Sequence, residues 1–180
     1  MAKKVLIIST SLRDKSNSEQ LADSFMEGAK AKGHEVEKIT FRDKTIAFCK
    51  GCLACQKLGK CVIKDDALEI TEKMKYADVI VWATPIYYYE MSGQMKTMID
   101  RANALYSSDY RFRDIYLLTT AAEDGKDVDK RTLSGLEGWI ACYEKAKLVG
   151  TVFAGGVNDI GEIKGHLAIT KAYKMGMEIQ

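Results

Sequence analysis

The chain has 180 residues, 47% hydrophobic and 29% charged, enough apolar material for one compact domain and too little length for two. Lys and Arg number 27 against 25 Asp and Glu, a net charge of +2 without the basic excess that phosphate-backbone binding draws on. No apolar run approaches the roughly 20 residues of a membrane span, and Met1-Ala2-Lys3-Lys4 leads into too short an apolar run for a signal peptide, so neither nucleic acid nor membrane is an expected partner and the cytoplasm is the expected location.

Val5-Leu6-Ile7-Ile8 is an unbroken apolar run ending in a Ser/Thr cluster, the pattern of a strand buried on both faces. After the polar stretch Ser9 to Ser18, Leu21, Ala22, Phe25, Met26 and Ala29 recur at helical spacing as far as Gly33, and Glu35 to Phe41 reads as a second strand. From Arg42 to Lys64 no period holds, and a loop of that length is expected to have a function. Asp66 with Glu69 has the form of a capping box, and Ala67, Ile70 and Met74 then share a helix face. Val79 to Ala83 is a third strand, stopped at Pro85, the only proline. Met95, Met98, Ile99, Ala102 and Leu105 mark an amphipathic helix, Ile115 to Leu118 a fourth strand, and Leu133, Leu136, Ile140 and Tyr143 another helix. Val149 to Ala154 is the fifth strand, and Ala168, Ala172, Met175 and Ile179 close the chain with a helix.

Five strands alternating with helices predict an α/β domain over residues 1–180, a parallel sheet covered on both sides, because parallel neighbours need crossover connections. Ligands of such sheets bind beyond the carboxyl ends of the strands, so the loops there are the candidate site. The first, Ser9 to Ser18, precedes a helix N-terminus, where free amides and the helix dipole favour an anion; Ser11, Ser16 and Ser18 add hydroxyls and Arg13 a guanidinium. It lacks both G-x-x-x-x-G-K-[ST] and G-x-G-x-x-G, which points away from a nucleoside triphosphate. The loop after the third strand holds Tyr87-Tyr88-Tyr89, and three consecutive tyrosines at a strand end cannot all enter the core, so at least one is offered to solvent or a planar ligand. The loop after the fourth strand, Thr119-Thr120-Ala121-Ala122-Glu123-Asp124-Gly125, is small enough for a ligand edge to reach its backbone. His34 and His166 lie outside any triad-like motif and are expected at the surface, and Asp65 and Asp66 are accounted for by the helix start they precede.

Together these loops resemble the flavodoxin-like family of NAD(P)H-dependent FMN reductases and iron-sulfur flavoproteins. Ser11-Leu12-Arg13 through Ser16-Asn17-Ser18 is similar to that family's phosphate loop, with Leu12 where proline is usual. Pro85-Ile86-Tyr87-Tyr88, Met91 to Lys96 and Ile99-Asp100-Arg101 are similar to its second loop and following helix. The resemblance implies a flavodoxin-like doubly wound sheet in the order 2-1-3-4-5. FMN phosphate would lie on Ser11, Arg13, Ser16, Asn17 and Ser18, and the ring against Pro85, Ile86, Tyr87, Tyr88, Thr120, Ala121 and Gly125. It further implies NAD(P)H as substrate, a flavin, quinone or similar acceptor, a ferredoxin partner where a cluster is present, and a homodimer or homotetramer. No side-chain acid or base is assigned, since hydride transfer to a flavin needs mainly positioning. Gly155-Gly156-Val157 and Lys164-Gly165-His166 also resemble the family and are read as structural.

Four of the five cysteines form Cys49-x2-Cys52-x2-Cys55-x5-Cys61. Three thiols at consecutive three-residue intervals suit a [4Fe–4S] cluster better than zinc, which usually takes two separated C-x2-C pairs. Zinc, and thiols that are free or paired, are the competing readings. Cys142 is expected to be a small packing residue within a helix.

Overall fold

The first apolar run becomes β1 (Lys4–Ser9), and its side chains divide between two cores as the two-residue period of a strand requires. Leu6 and Ile8 enter one cluster, Val5 and Ile7 the other. The same division runs along β3 (Val79–Tyr87), where Ile80 and Trp82 oppose Val79, Val81 and Ala83. It recurs along β5 (Asp114–Thr120), where Ile115 and Leu117 oppose Tyr116 and Leu118. A computed structural model describes residues 1–180, and it places these three strands at the centre of a parallel sheet with β2 (Glu35–Thr40) and β6 (Lys147–Ala154) at its edges.

One face is covered by α1 (Asn17–Ala31) and α6 (Leu167–Met177), the other by α3 (Ala67–Tyr76), α4 (Gly93–Arg101) and α5 (Lys130–Ile140). The chain is thus doubly wound, and its long strands run in the expected order, β2-β1-β3-β5-β6. The addition is β4 (Glu90–Met91), a two-residue strand antiparallel to the end of β3, with Ile86 opposite Met91 and Tyr87 opposite Glu90. Its turn holds Tyr88 at φ 51° and Tyr89 at φ 66°, both left-handed. Two-residue hairpins normally announce themselves by Asn-Gly or Asp-Gly at these positions, so a Tyr-Tyr turn left no such signal.

Other differences are local. The 42–64 loop contains a one-turn helix, α2 (Ala54–Leu58), bounded by left-handed Leu53 and Gly59. Asp66 precedes α3 without capping it: its carboxylate accepts from the Thr45 amide at 2.6 Å, and Asp65 takes the Ala67 amide instead. Helix α5 stops at Ile140, so Cys142 lies exposed in the turn that follows rather than packed in a helix. His34 is half-buried, accepting from the Lys3 amide at 3.1 Å, and His166 caps α6 through the Ala168 amide. No helix is long and apolar enough to cross a membrane.

Candidate functional site

A cleft of about 280 Å³ opens beyond the carboxyl ends of β1, β3 and β5. One wall is the loop into α1, contributing Ser11, Arg13, Ser16, Asn17 and Ser18. Ser16 caps the helix, its hydroxyl accepting from the Glu19 amide at 3.2 Å and lying 3.3 Å from that of Ser18. The amides of Asn17 and Ser18 find no acceptor within the chain although both residues are buried. Two unpartnered N–H groups at a helix N-terminus, beside an arginine, leave this wall electrostatically short of an anion.

The opposite wall is Pro85, Ile86, Tyr87 and Tyr88, with Tyr88 standing 96% exposed at the rim. Its base is set by a buried hydroxyl network. Thr10 donates to the Ala83 carbonyl at 3.2 Å and lies 3.0 Å from Ser92 Oγ, which accepts from Thr84 Oγ1 at 3.1 Å and caps α4 through the Met95 amide. The first and second loops are thereby tied to the same hydroxyl at the start of α4. Thr120 and Ala121 form the third side. Glu123, beyond it, raises the pKa of the Tyr89 phenol above the ordinary tyrosine value. Of the residues expected at the site, Gly125 alone lies off the cleft, on the far arm of that third loop.

Four further residues line the cleft: Ala122, Val157, Asn158 and Ile160. The last three follow β6, a segment expected to be only structural. Arg13 donates to the Asn158 carbonyl at 3.0 Å, and Asn17 donates to the Asp159 carbonyl at 2.9 Å while accepting from the Ile163 amide at 3.4 Å. The signal was present in Gly155-Gly156 at the carboxyl end of the fifth strand, the same location that marked the other three loops. The cleft residues include no histidine, cysteine or carboxylate, and Arg13 is their one charge. Such a lining can bind and orient an anionic, planar molecule, but it offers no acid or base that titrates near neutrality.

The cysteine loop lies on other elements. Cys49 and Cys52 are exposed, whereas Cys55 and Cys61 are half-buried. Asn103 donates to Cys55 Sγ at 3.3 Å, and the Gly51 amide donates to Cys49 Sγ at 3.4 Å. Thiols suit iron-sulfur or zinc chemistry as donors, yet at no point do three or more His, Cys, Asp or Glu side chains converge as metal ligands. The four sulfurs therefore do not form a ready cage.

Arg101 is the residue that the sequence left without a role. Its side chain is fully buried at the end of α4, bidentate to Asp65 at 2.5 and 2.7 Å. Burial opposes the Asp65 charge, but the Arg101 hydrogen bonds and the amides of Ala47 and Ala67 outweigh it and hold the carboxyl below the usual aspartate range. A depressed carboxylate stabilises the fold above its unfolded pKa, and that contribution is lost as pH falls through the folded value. Asp65→Asn is accordingly expected to cost about 3–5 kcal/mol at pH 7 by stranding a buried guanidinium. Denaturant titrations should show the gap to the native protein narrowing below about pH 4; a gap as wide at pH 3 as at pH 7 would remove the ion pair from the account.

Residues 3–157 match the family described as NADPH-dependent FMN reductase. An iron-sulfur flavoprotein of Archaeoglobus fulgidus is 42% identical over 101 residues, covering 56% of this chain and 50% of that protein. One of Methanocaldococcus jannaschii is 39% identical over 102 residues, covering 57% and 53%. The chain thus spans about half the length of the curated relatives it matches. In fold, an NAD(P)H:quinone oxidoreductase from Methanothermobacter marburgensis superposes with a TM-score of 0.76 at 16% identity over 100% of both chains. An azoreductase from Bacillus anthracis does so at 0.73 and 14%, over 99% of this chain and 100% of that one. On the family match across residues 3–157, the chain belongs to the NADPH-dependent FMN reductase family.

Proposed function

We propose that residues 1–180 form a single FMN-binding domain that moves electrons from NAD(P)H, or from a ferredoxin-like donor, to a flavin, quinone or similar acceptor. The observation that carries this reading is the cleft's division of labour: unpartnered amides and a guanidinium at one end, tyrosines at the other, and no acid or base between. FMN, when bound, supplies the two-electron chemistry. The chain's residues bind and orient it: the Asn17 and Ser18 amides, the hydroxyls of Ser11, Ser16 and Ser18, and Arg13 take the phosphate, while Pro85 to Tyr88, Thr120 and Ala121 border the ring. A cytoplasmic homodimer or homotetramer completes the reading.

Two measurements test it. Quenching of flavin fluorescence should give one FMN per chain, and steady-state oxidation of NADH or NADPH with a quinone acceptor should follow. Stoichiometric FMN without any NAD(P)H oxidation would leave an electron carrier lacking its own turnover. Removing the phosphate donors in Arg13→Ala/Ser18→Ala is expected to weaken FMN by about 10- to 100-fold, the worth of one or two charge-assisted hydrogen bonds. Riboflavin, which has no phosphate, should bind the native protein and this variant alike; equal losses for both ligands would count against the phosphate assignment.

A second reading is favoured by the cysteine spacing and by the relatives' name: Cys49, Cys52, Cys55 and Cys61 hold a [4Fe–4S] cluster. Iron and sulfide assays on protein purified without oxygen test it against zinc or free thiols. Zinc without iron would make the loop a structural metal site, and neither metal would leave four thiols.

A further inference from the structure

Between β6 and α6 the chain is anchored in the core at Val157 and Ile163, and the residues between them form a mostly exposed turn. Glu162 ties that turn together. One oxygen of its carboxylate, Oε2, accepts from the amide of Asn158 at 2.6 Å and from that of Asp159 at 2.9 Å, and neither amide has a backbone acceptor. These two N–H donors hold the Glu162 carboxyl below the usual glutamate range, so it is charged at neutral pH. The far side of the turn meets the anion wall of the cleft: the Asn158 carbonyl accepts from Arg13 at 3.0 Å and the Asp159 carbonyl from Asn17 at 2.9 Å.

The carbonyl of Asn158 and the amide of Asp159 belong to one peptide unit. A trans peptide is planar, with its C=O and N–H pointing in opposite directions, so the carboxylate that takes the N–H on one side aims the C=O at Arg13 on the other. We propose that Glu162 is a positioning residue for the anion of the cleft: acting through the 158–159 peptide, it fixes the guanidinium of Arg13, the one charge among the cleft residues. The backbone and the side chain of Arg13 are held separately. Arg42 donates to the Arg13 carbonyl at 3.4 Å and steadies the loop, whereas the guanidinium has the Asn158 carbonyl as its one hydrogen-bond partner in the chain. Its remaining N–H donors are left for an anion. A guanidinium ordered beforehand loses less freedom when the anion arrives, which is how a carboxylate outside the cleft strengthens binding within it.

This role of Glu162 rests on the phosphate reading above, but one of its readouts needs no flavin, so the two can fail separately. In the full chain without FMN, nitrogen relaxation by NMR follows the Arg13 Nε–H group. It should be ordered in the native protein and in Glu162→Gln, which keeps an acceptor oxygen, and mobile in Glu162→Ala. Glu162 is exposed, so both variants should melt within a few degrees of the native protein. Fluorescence titration should show FMN bound about three- to tenfold more weakly by Glu162→Ala, the worth of one hydrogen bond, with Glu162→Gln in between and riboflavin unchanged. In an Arg13→Ala background, Glu162→Ala should cost nothing further, because the two residues act as one unit. An Arg13 Nε–H as ordered in Glu162→Ala as in the native protein would overturn the proposal. So would losses of FMN affinity that add in the double variant, or an equal loss for riboflavin. If Arg13→Ala binds FMN as the native protein does, the phosphate reading fails, and the Nε relaxation still decides whether Glu162 positions Arg13.

Discussion

Replacing either Gly28 or Gly176 with alanine is expected to cost this protein about 3 kcal/mol, the upper end of what forced overpacking brings, and to lower its melting temperature by roughly 6–12 °C. Helices α1 and α6 cross with backbone against backbone. A Cβ on Gly28 would sit 2.0 Å from the Tyr173 carbonyl oxygen, and one on Gly176 would sit 2.2 Å from that of Phe25 and 2.8 Å from the Ala29 nitrogen. These are backbone atoms of a facing helix, so no rotamer change relieves the clash; the helices must separate and give up the packing of Phe25, Ala29 and Ala172. Gly138 supplies the control. It lies exposed on α5 with nothing within 4 Å of its would-be Cβ, so alanine there should stabilise, by up to about 1 kcal/mol, through helix propensity. Thermal unfolding of the three variants checks the account, which fails if Gly28→Ala and Gly176→Ala melt alongside the native protein.

Gly155→Ala is expected to spare the fold and damage the cleft. Its Cβ would meet Asp124 Oδ1 at 2.6 Å, Asp124 Cα at 2.7 Å and the Glu123 carbonyl oxygen at 2.7 Å. Two of those three atoms are backbone, and all three belong to the loop that continues from Thr120, Ala121 and Ala122 on the cleft wall. The loop is also fixed from behind, because the Ala121 amide donates to the Ala154 carbonyl and the Val157 amide to the Ala121 carbonyl. With both sides held, the displacement falls on the cleft. FMN affinity should drop about tenfold or more, that is 1.4 kcal/mol or more, while the melting temperature of the FMN-free protein changes by only a few degrees. Fluorescence titration against FMN measures the first and calorimetry the second; native affinity in Gly155→Ala would show that the third loop does not border the flavin.

The elements that sequence reading found are those whose evidence is local. Val5 to Ile8 and Val79 to Ala83 have the unbroken apolar pattern of strands buried on both faces, and the helix of Met95, Met98, Ile99 and Ala102 follows from a 3.6-residue period. Alternation of strands and helices led to the parallel sheet, and the sheet led to the loops. Eleven of the residues expected there do line one cleft; Gly125 does not. The reading that Asp65 and Asp66 merely start a helix missed the buried partner of one and the Thr45 contact of the other.

What the sequence determined by itself was where the five long strands and the main helices lie, the order of the long strands once the family resemblance was admitted, and three of the four loops around the cleft. Only the tertiary structure decided that the segment after β6 closes the cleft, that Arg101 gathers the stems of the cysteine loop, and that the four thiols do not converge on one point. The reason is separation along the chain. A period of two or 3.6 is written into neighbouring residues, whereas Arg13 meets Asn158 across 145 residues and Arg101 meets Asp65 across 36. Contacts of that kind come into being when the packed sheet brings the loops together, and nothing in the residues on either side of them records the distance.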